Sequence, residues 1–467
     1  VCATKAGVCL RRVMGVGGPE CRPFYPWQHA GRRADLGLLN FSAQVVEEVS
    51  WDSLDPLAFE HLRRLVRRRR GESSLLELDD RELAQALGLV ETEAGELRPT
   101  IAGLLMVGRE ETLRRHLPTH EVAFQVLDDR GNVLVNDLFH ASLPETLDEI
   151  ERRFAARNQE REILVGLFRL PIPDCAPEAF REAVGNALLH RDYSRLGTIF
   201  VQWYPDHIFV INPGGFPAGI TLNNLLVHEP KPRNPRLTEV FLRIGLIEKT
   251  GRGIDKIYLG QLRYGRPAPD YTLSDEEGVR VVLMREPTHV QFAVFVDERE
   301  QRGNPLTVDE LLILNRLLRE RYLGAEGAAR LIQKDVTRTE AVLAKMVKTH
   351  FLTRADGNYQ LPANLAERLQ VPYAEEELSP QEMERRVLEY VAREGRIANA
   401  ECRRLCDLST YQASRLLSRL TEEGKLKAVG AGRGRHYVGS TQICGVKTGL
   451  GADLTRIRGK PAQGGPT

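Results

Sequence analysis

The stretch Arg181–Ser194, REAVGNALLHRDYS, holds the side chains best suited to chemistry in this sequence. Glu182, Asn186 and His190 recur at i, i+4 and i+8, so on a helix they form one polar stripe. Ala183, Val184, Ala187 and Leu188 supply the apolar face beside it. A carboxylate and a carboxamide one turn apart suit two linked tasks. Glu182 can accept a proton from a water or orient it, while Asn186 can offer an oxygen to a hard cation such as Mg²⁺. Taken alone, such a stripe reads as the solvated side of an ordinary helix. It is followed, however, by two glycine-bearing turns. Val210–Pro217 (VINPGGFP) runs from a strand into Gly214 and Gly215, which let a backbone lie close against a flat or charged ligand. Ile247–Ile257 (IEKTGRGIDKI) then puts Gly251, Arg252 and Gly253 at a helix start, where free N–H groups and the helix dipole favour phosphate. Each glycine pair is a weak signal by itself. The ordered set is stronger.

The elements that must position these residues follow from periodicity. Ala179–His190 reads as a helix, and Thr198–Tyr204 and His207–Ile211 as strands paired around Pro205-Asp206. Leu147–Leu170 reads as a long amphipathic helix stopped by Pro171, and Tyr271–Leu273 and Val279–Met284 as strands closing around Ser274–Gly278. Helices covering one face of a mainly antiparallel sheet are the expected outcome, an α/β sandwich. Upstream, residues 41–150 form a mixed α/β region. Phe59–Arg70 puts Phe59, Leu62, Leu65 and Val66 on one helical face, with arginines that read as a solvated face ahead of a phosphate-contacting one. Val133–Leu138 pairs with His120–Leu127 around the hairpin signal DDRGN.

The order of a Glu-x-x-x-Asn helix, a strand into a glycine-rich loop, and Gly-x-Gly into a helix resembles the ATP-binding fold of gyrases, histidine kinases and mismatch-repair ATPases. HRDYS, INPGGFPAGIT, PRNP (232–235) and GLIEKTGRGIDKI look, more closely, like the RecG-like C-terminal ATP-binding family of transcriptional regulators. The resemblance covers about residues 95–290. It implies ATP and Mg as cofactors, Glu182 as the general base or water-orienting carboxylate, and Asn186 as the Mg²⁺ ligand. His190, Arg191 and Asp192 match the family signature, either touching nucleotide or holding the helix end. Asn212 stands where the wider superfamily has an aspartate recognising the adenine amino group; an amide oxygen can accept that bond without the charge. Gly214 and Gly215 would line the base, and Gly251, Arg252 and Gly253 the phosphates. Thr221 to Arg243 would be a mobile lid with Lys231 and Arg233 as phosphate contacts. Arg22–Leu39 looks weakly like the tail of a Schlafen-type AlbA DNA-binding domain, so residues 1–40 are expected to be the end of a domain otherwise missing from this chain. The ATP-binding domain itself is expected at 151–290.

Residues 305–440 change character and hold two similar units, 305–365 and 379–438. Each reads as three helices and a short hairpin, the winged helix-turn-helix plan whose third helix enters the major groove. In the second, Gln412, Arg415 and Arg419 decorate the third helix, and Lys425, Lys427, Arg433 and Arg435 the wing, with no acid between 425 and 435. The first is less basic, with Arg338 and Lys345 on its third helix. Contact with double-stranded DNA is expected mainly through the second unit; winged helices also serve as protein-docking modules.

The 467 residues suggest about three domains at ~150 residues each. Lys+Arg 65 against Asp+Glu 64 leaves +1, so a nucleic-acid role must come from local patches. Seven scattered cysteines without CxxC argue against a zinc knuckle and for a reduced, cytoplasmic chain. No apolar run is long enough for a membrane span, and 439–467 reads as a disordered basic tail. No G-x-x-x-x-G-K-[ST] run occurs, which argues against a Walker-type helicase. The expected function is a DNA-binding regulator able to pair as a homodimer, in which Mg-ATP binding, with slow hydrolysis where it occurs, gates contact through the winged helices. The alternatives are a non-enzymatic DNA-binding or docking protein with a vestigial ATP site, and a phage-defence component that senses nucleotide.

Overall fold

The computed structural model describes residues 2–4, 7–11, 21–24, 33, 39–165, 168–247, 253–286, 288–355, 357–371, 380–406, 408, 410–430 and 435–440. The AlbA-like reading of Arg22–Leu39 therefore lies mostly outside the described residues, as does the tail beyond residue 440. The chain divides into two compact units, Val1–Glu375 and Glu376–Thr467.

The larger unit is organised by a five-stranded mixed sheet. Its strands are β1 (Val122–Leu127), β2 (Val133–Phe139), β3 (Ile199–Trp203), β4 (His207–Pro213) and β5 (Gly278–Met284), in spatial order β5-β4-β3-β1-β2. All neighbours are antiparallel except β3 and β1, which run parallel with Ile199 opposite Val122. The alternation of β3 explains its two faces. Ile199, Val201 and Trp203 are buried, while Gln202 turns the other way and donates to Gln125 Oε1 (2.8 Å), whose own Nε2 reaches Asn136 Oδ1 (2.9 Å). A hydrogen-bonded amide ladder thus marks the polar face.

Helices α1 (Pro56–Arg69), α2 (Leu143–Arg157), α3 (Pro177–His190), α4 (Pro235–Arg243) and α5 (Gly253–Leu262) contribute to the same hydrophobic core as the sheet. In α1 the residues buried are those the 3.6-residue period selects: Phe59, Leu62, Leu65 and Val66. Its arginines pair within the protein, Arg63 with Asp80 (2.7 Å), Arg68 with Asp148 (2.5 Å) and Arg69 with Glu151 (2.5 Å). Phe180 of α3 stacks on Phe154 of α2 with centroids 4.0 Å apart.

Two sequence expectations fail. The long helix expected over 147–170 is α2 followed by a hairpin, Glu160–Val165 with Phe168–Pro173. Short apolar runs satisfy both periods, and tertiary bonds decide here: Asn158 Oδ1 accepts from Cys175 N–H (2.8 Å) and Gln159 O from Asp174 N–H (2.8 Å). Tyr271–Leu273 is a turn rather than a strand, because Asp270 Oδ1 accepts from both Thr272 N–H (2.8 Å) and Thr272 Oγ1 (2.6 Å).

After the sheet, α6 (Val308–Leu317), α7 (Ala325–Ile332) and α8 (Val336–Lys348) precede a hairpin, Thr353–Ala355 with Asn358–Gln360. Thr307 and Glu310 form a reciprocal capping box at the start of α6. This group is packed into the same core as the sheet. Asn315 Nδ2 donates to Arg266 O (2.9 Å) and Arg319 Nη2 to Gly265 O (2.9 Å), just beyond α5. The smaller unit repeats the order with α9 (Pro380–Glu394), α10 (Asn399–Cys406), α11 (Thr410–Glu422) and the hairpin Leu426–Val429 with His436–Gly439. In both groups the residue that leads toward the second helix bridges the hairpin, Leu323 to Tyr359 and Ile397 to Tyr437. The smaller unit has its own core around Val387, Leu417 and Leu420.

Phe180→Ala removes a ring that is 1% exposed behind the stripe of α3. It should cost about 3–5 kcal/mol, read as a lowered urea midpoint.

Candidate functional site

Helix α3 starts with Pro177 in its first turn, where the missing N–H is no loss, and buries Ala179, Phe180, Ala183, Val184, Ala187 and Leu188. Glu182, Asn186 and His190 line a cavity of about 400 Å³. Val210 and Asn212 of β4 and Val279 and Val281 of β5 form one wall. Phe216, Ile220, Leu225, His228 and Lys231 come from the segment between β4 and α4, and Gly253, Ile254 and Lys256 from α5. Apolar walls with a few convergent polar groups are the usual make-up of a small-molecule site.

The stripe and α5 meet closely. A Cβ at Gly253 would sit 2.0 Å from Glu182 Oε1, so glycine makes room for the carboxylate there. Burial, with Tyr258 and the Glu182 charge nearby, pushes the Tyr271 hydroxyl well above its ordinary range. Burial also lowers the His190 pKa to about 4, with the Arg233 charge acting in the same direction. Its imidazole is therefore neutral at pH 7, and among the described residues its buried Nδ1 has no hydrogen-bond partner. Asn212 is 4% exposed at the cavity wall.

Other residues of the same motifs face away from the cavity and close the end of α3. A helix leaves its last carbonyls without partners. Here Arg233 donates to His190 O (2.9 Å) and Gly215 O (2.7 Å), and Asn234 Nδ2 to Leu189 O (2.8 Å) and Arg191 O (2.9 Å). Tyr193 donates to Leu188 O (3.0 Å), and Arg191, fully buried, donates to the carbonyls of Asp192, Arg195, Thr119 and Gly197. Asp192 accepts from Ser194 N–H (3.1 Å) and Oγ (2.6 Å). Gly214, at φ +93°, has no room for a Cβ between Arg233 and Asp192, and Gly215 none against the Asp275 carbonyl. Of the expected nucleotide residues, Glu182, Asn186, His190, Asn212, Lys231 and Gly253 meet at the cavity, while Asp192, Arg233, Gly214 and Gly215 pack behind it. Gly251 and Arg252 lie outside the described residues. Lys231 also donates to Ala218 O (2.9 Å). His228, Lys256 and Tyr271 line the cavity without having been singled out in the sequence. Lys256 sits one turn beyond Gly253, a spacing that would have found it.

A larger groove of about 660 Å³ between α1 and α2 is lined by His61, Arg64, Arg68, Glu145, Asp148 and Arg152. Its charges neutralise one another: Asp148 holds both His61 (2.8 Å) and Arg68 (2.5 Å). Among the described residues no three His, Cys, Asp or Glu gather as a metal cage. Mg²⁺ nonetheless fits Asn186, since that ion is commonly held by one or two protein ligands with water and substrate phosphates. Burial raises the Cys175 thiol to about 12, which fits an inert side chain. No described helix is long and apolar enough to cross a membrane.

The DNA-contact candidates of the smaller unit divide in two. Gln412, Arg415, Lys427 and Arg435 are exposed. Arg419 lies near Glu384 (3.9 Å) and Glu423 (3.6 Å), and Lys425 binds the same two acids at 2.5 and 2.6 Å. Arg433 lies outside the described residues. In the larger unit, Arg338 projects into solvent near Asp335 (3.3 Å), and Lys345 pairs with Glu310 (2.9 Å).

His190 and His120, whose pKa burial also lowers to about 4, make stability depend on pH. Between about 6.5 and 4 the unfolded chain binds protons that the folded chain does not, so stability must fall as pH drops through that window. Urea titrations from pH 7 to 4 should show the loss, at most about 3 kcal/mol per histidine. His190→Gln should remove its share of the slope.

Comparison with known proteins agrees with this geometry. Residues 197–283 match a family described as "Putative ATP-dependent DNA helicase recG C-terminal", and residues 36–123 match DUF8451, a domain of unknown function. No curated protein matches the chain. Among solved structures, the crystal structure of the DIP2311 protein from Corynebacterium diphtheriae superposes with a TM-score of 0.59 at 23% identity, covering 75% of this chain and 70% of that one. That likeness establishes a shared fold. The 197–283 match takes in β3, β4, α4, α5 and β5, among them the cavity-lining Val210, Asn212, Gly253, Val279 and Val281, and over that stretch the chain is similar to the RecG C-terminal family.

Proposed function

We propose that the cavity binds ATP with Mg²⁺ and that its occupancy governs contact with DNA through two winged helix-turn-helix domains. One observation carries the nucleotide reading: Glu182 and Asn186, one turn apart on α3, face the same cavity as the Asn212 strand and the Gly253 helix. In this reading Asn186 holds the metal, and Glu182 orients or deprotonates the attacking water. The bound Mg²⁺ would neutralise phosphate charge and polarise the terminal phosphoryl group. Gly253, Lys231 and Lys256 take the phosphates, and Asn212 and the neutral His190 offer hydrogen bonds deeper in the cavity. Asp192, Arg233, Gly214 and Gly215 serve by fixing the walls. Gly251 and Arg252 are further candidate phosphate contacts. Hydrolysis is slow and serves as a timer.

The three-helix-and-hairpin groups at 305–365 and 379–438 support the DNA reading, as does the exposure of Gln412, Arg415, Lys427 and Arg435 along one helix and hairpin. Arg433, which follows in sequence, is a further candidate contact. Arg419 and Lys425 contribute less while Glu384 and Glu423 hold them, and Arg338 and Lys345 form a weaker second contact. A homodimer would present two such surfaces to a two-part site. Free, buried thiols at Cys175, Cys402 and Cys406 fit a reducing, cytoplasmic setting. A second reading, a winged-helix protein with a vestigial pocket, is favoured by the Glu182 carboxylate already lying against Gly253 and by Asn212 in place of an aspartate.

Calorimetric titration with ATP, with and without Mg²⁺, separates the two. Wild type should bind in a Mg²⁺-dependent manner that Asn186→Ala loses, and Glu182→Gln should bind but turn over at least a hundredfold more slowly. Absence of binding in wild type supports the vestigial pocket. On DNA, Arg415→Ala with Lys427→Ala should flatten the slope of log affinity against log salt by about 2, one for each lost phosphate contact, leaving ATP affinity unchanged. An unchanged slope would move the DNA surface elsewhere.

A further inference from the structure

The segment between β4 and α4 covers the cavity, yet part of what holds it comes from outside the α/β domain. Gln333 ends α7 in the left-handed conformation (φ 55°, ψ 36°), its backbone N–H donating to Ala329 O. Its side chain reaches back along the sequence to the cavity cover. Leu226 N–H donates to Gln333 Oε1 (2.8 Å), and Gln333 Nε2 donates to Leu222 O (2.9 Å). Both ends of one carboxamide are thus used by one turn of the cover. Between the two bonded residues lies Leu225, which lines the cavity. The turn is also tied internally, Thr221 N–H donating to Asn224 Oδ1 (2.7 Å) and Asn224 Nδ2 to Gly219 O (2.8 Å). On its other side, Gln333 is two residues from Asp335, the N-cap of α8, whose Oδ1 accepts from Arg338 N–H (2.9 Å).

We propose that Gln333 is a positioning residue for the cavity cover, supplied by the turn between the second and third helices of the 308–361 group. Through it, the state of the cover and the placement of α8 are set together. The chemistry asks for this residue type. A carboxamide alone among side chains of this length presents a donor and an acceptor side by side, the pattern of a peptide group, and so can pair with a backbone turn from both ends. The rest of the 308–361 group is fixed to the α/β domain by a shared apolar core and by the Asn315 and Arg319 bonds beyond α5. The Gln333 bonds lie nearer the surface, so they can exchange without unpacking that core. Because coupling is reciprocal, whatever orders the cover should order the start of α8, and the converse. The proposal rests on the nucleotide reading only for the identity of what fills the cavity.

Hydrogen exchange by mass spectrometry on the full chain tests it, first without nucleotide. Gln333→Ala should speed exchange over 220–228 about fivefold, and Gln333→Glu, which keeps the acceptor but loses the donor, by less. Asn224→Ala, which loosens the turn from within, should speed exchange over 333–340 in wild type but not in the Gln333→Ala background. No change over 220–228 in Gln333→Ala, or an Asn224→Ala effect that persists without Gln333, overturns the coupling. Mg·ATP is then added. In wild type it should slow exchange over both segments, and in Gln333→Ala over 220–228 alone. If calorimetry shows ATP bound while 333–340 stays unchanged in wild type, the coupling of occupancy to α8 is overturned. If ATP does not bind, the nucleotide reading fails by itself, and the nucleotide-free comparison still decides the role of Gln333.

Discussion

The C-terminal end of α3 is the constraint on which the site depends. The last carbonyls of α3 need donors in a place that water does not reach. Arg233, Asn234 and Tyr193 supply those donors, while Arg191 gathers four further carbonyls around the same corner. Hydrogen bonds to a charged group are worth about 1.5–3 kcal/mol, and a buried guanidinium left without them is costly. This clamp joins α3 to the chain that leads out of the cavity cover, because Arg233 and Asn234 lie two and three residues after Lys231. The wall bearing Glu182 and Asn186 and the segment closing over it are therefore held at one point.

Charge in this protein is mostly spent internally. Lys+Arg and Asp+Glu are nearly equal in number, and many of the arginines pair with nearby acids. The run of arginines in α1 illustrates the point: Arg63, Arg68 and Arg69 bind Asp80, Asp148 and Glu151, which leaves less positive field than the sequence implies. In the smaller unit Glu384 and Glu423 hold Arg419 and Lys425 in the same way, while Lys427 and Arg435 are exposed. The cavity differs in kind. Its polar groups, Glu182, Asn186, Asn212 and His190, converge on one volume among apolar walls, and one of them is a neutral histidine with a buried nitrogen that no group among the described residues satisfies.

Much of this was legible from local pattern. The burial of Phe59, Leu62, Leu65 and Val66, the β1–β2 hairpin around Asp128 with Gly131 at φ 79°, and the apolar face of α3 all follow from periods of 3.6 and 2 and from turn chemistry. The stretch 160–173 was not, because a run such as EILVGLF fits a helix or a strand equally well. Asn158 and Gln159 settle it through bonds to Cys175 and Asp174, partners that no local window contains.

By itself the sequence determined that a carboxylate, a carboxamide and a histidine share one side of a helix, and that glycine turns follow in an order typical of a nucleotide-binding fold. Spacing along a helix fixes direction, so those features survive any tertiary arrangement. Only the tertiary structure decided which motif residues face the cavity and which close the helix end. His190 and Arg191 are adjacent in sequence, yet one lines the cavity and the other is buried among carbonyls. Likewise Lys231 faces the cavity while Arg233, two residues on, caps α3. The physical reason is that a polar side chain goes where its unsatisfied partners are, and those partners, the carbonyls of residues 189–191, 215 and 119, are brought together only when distant segments fold onto one sheet.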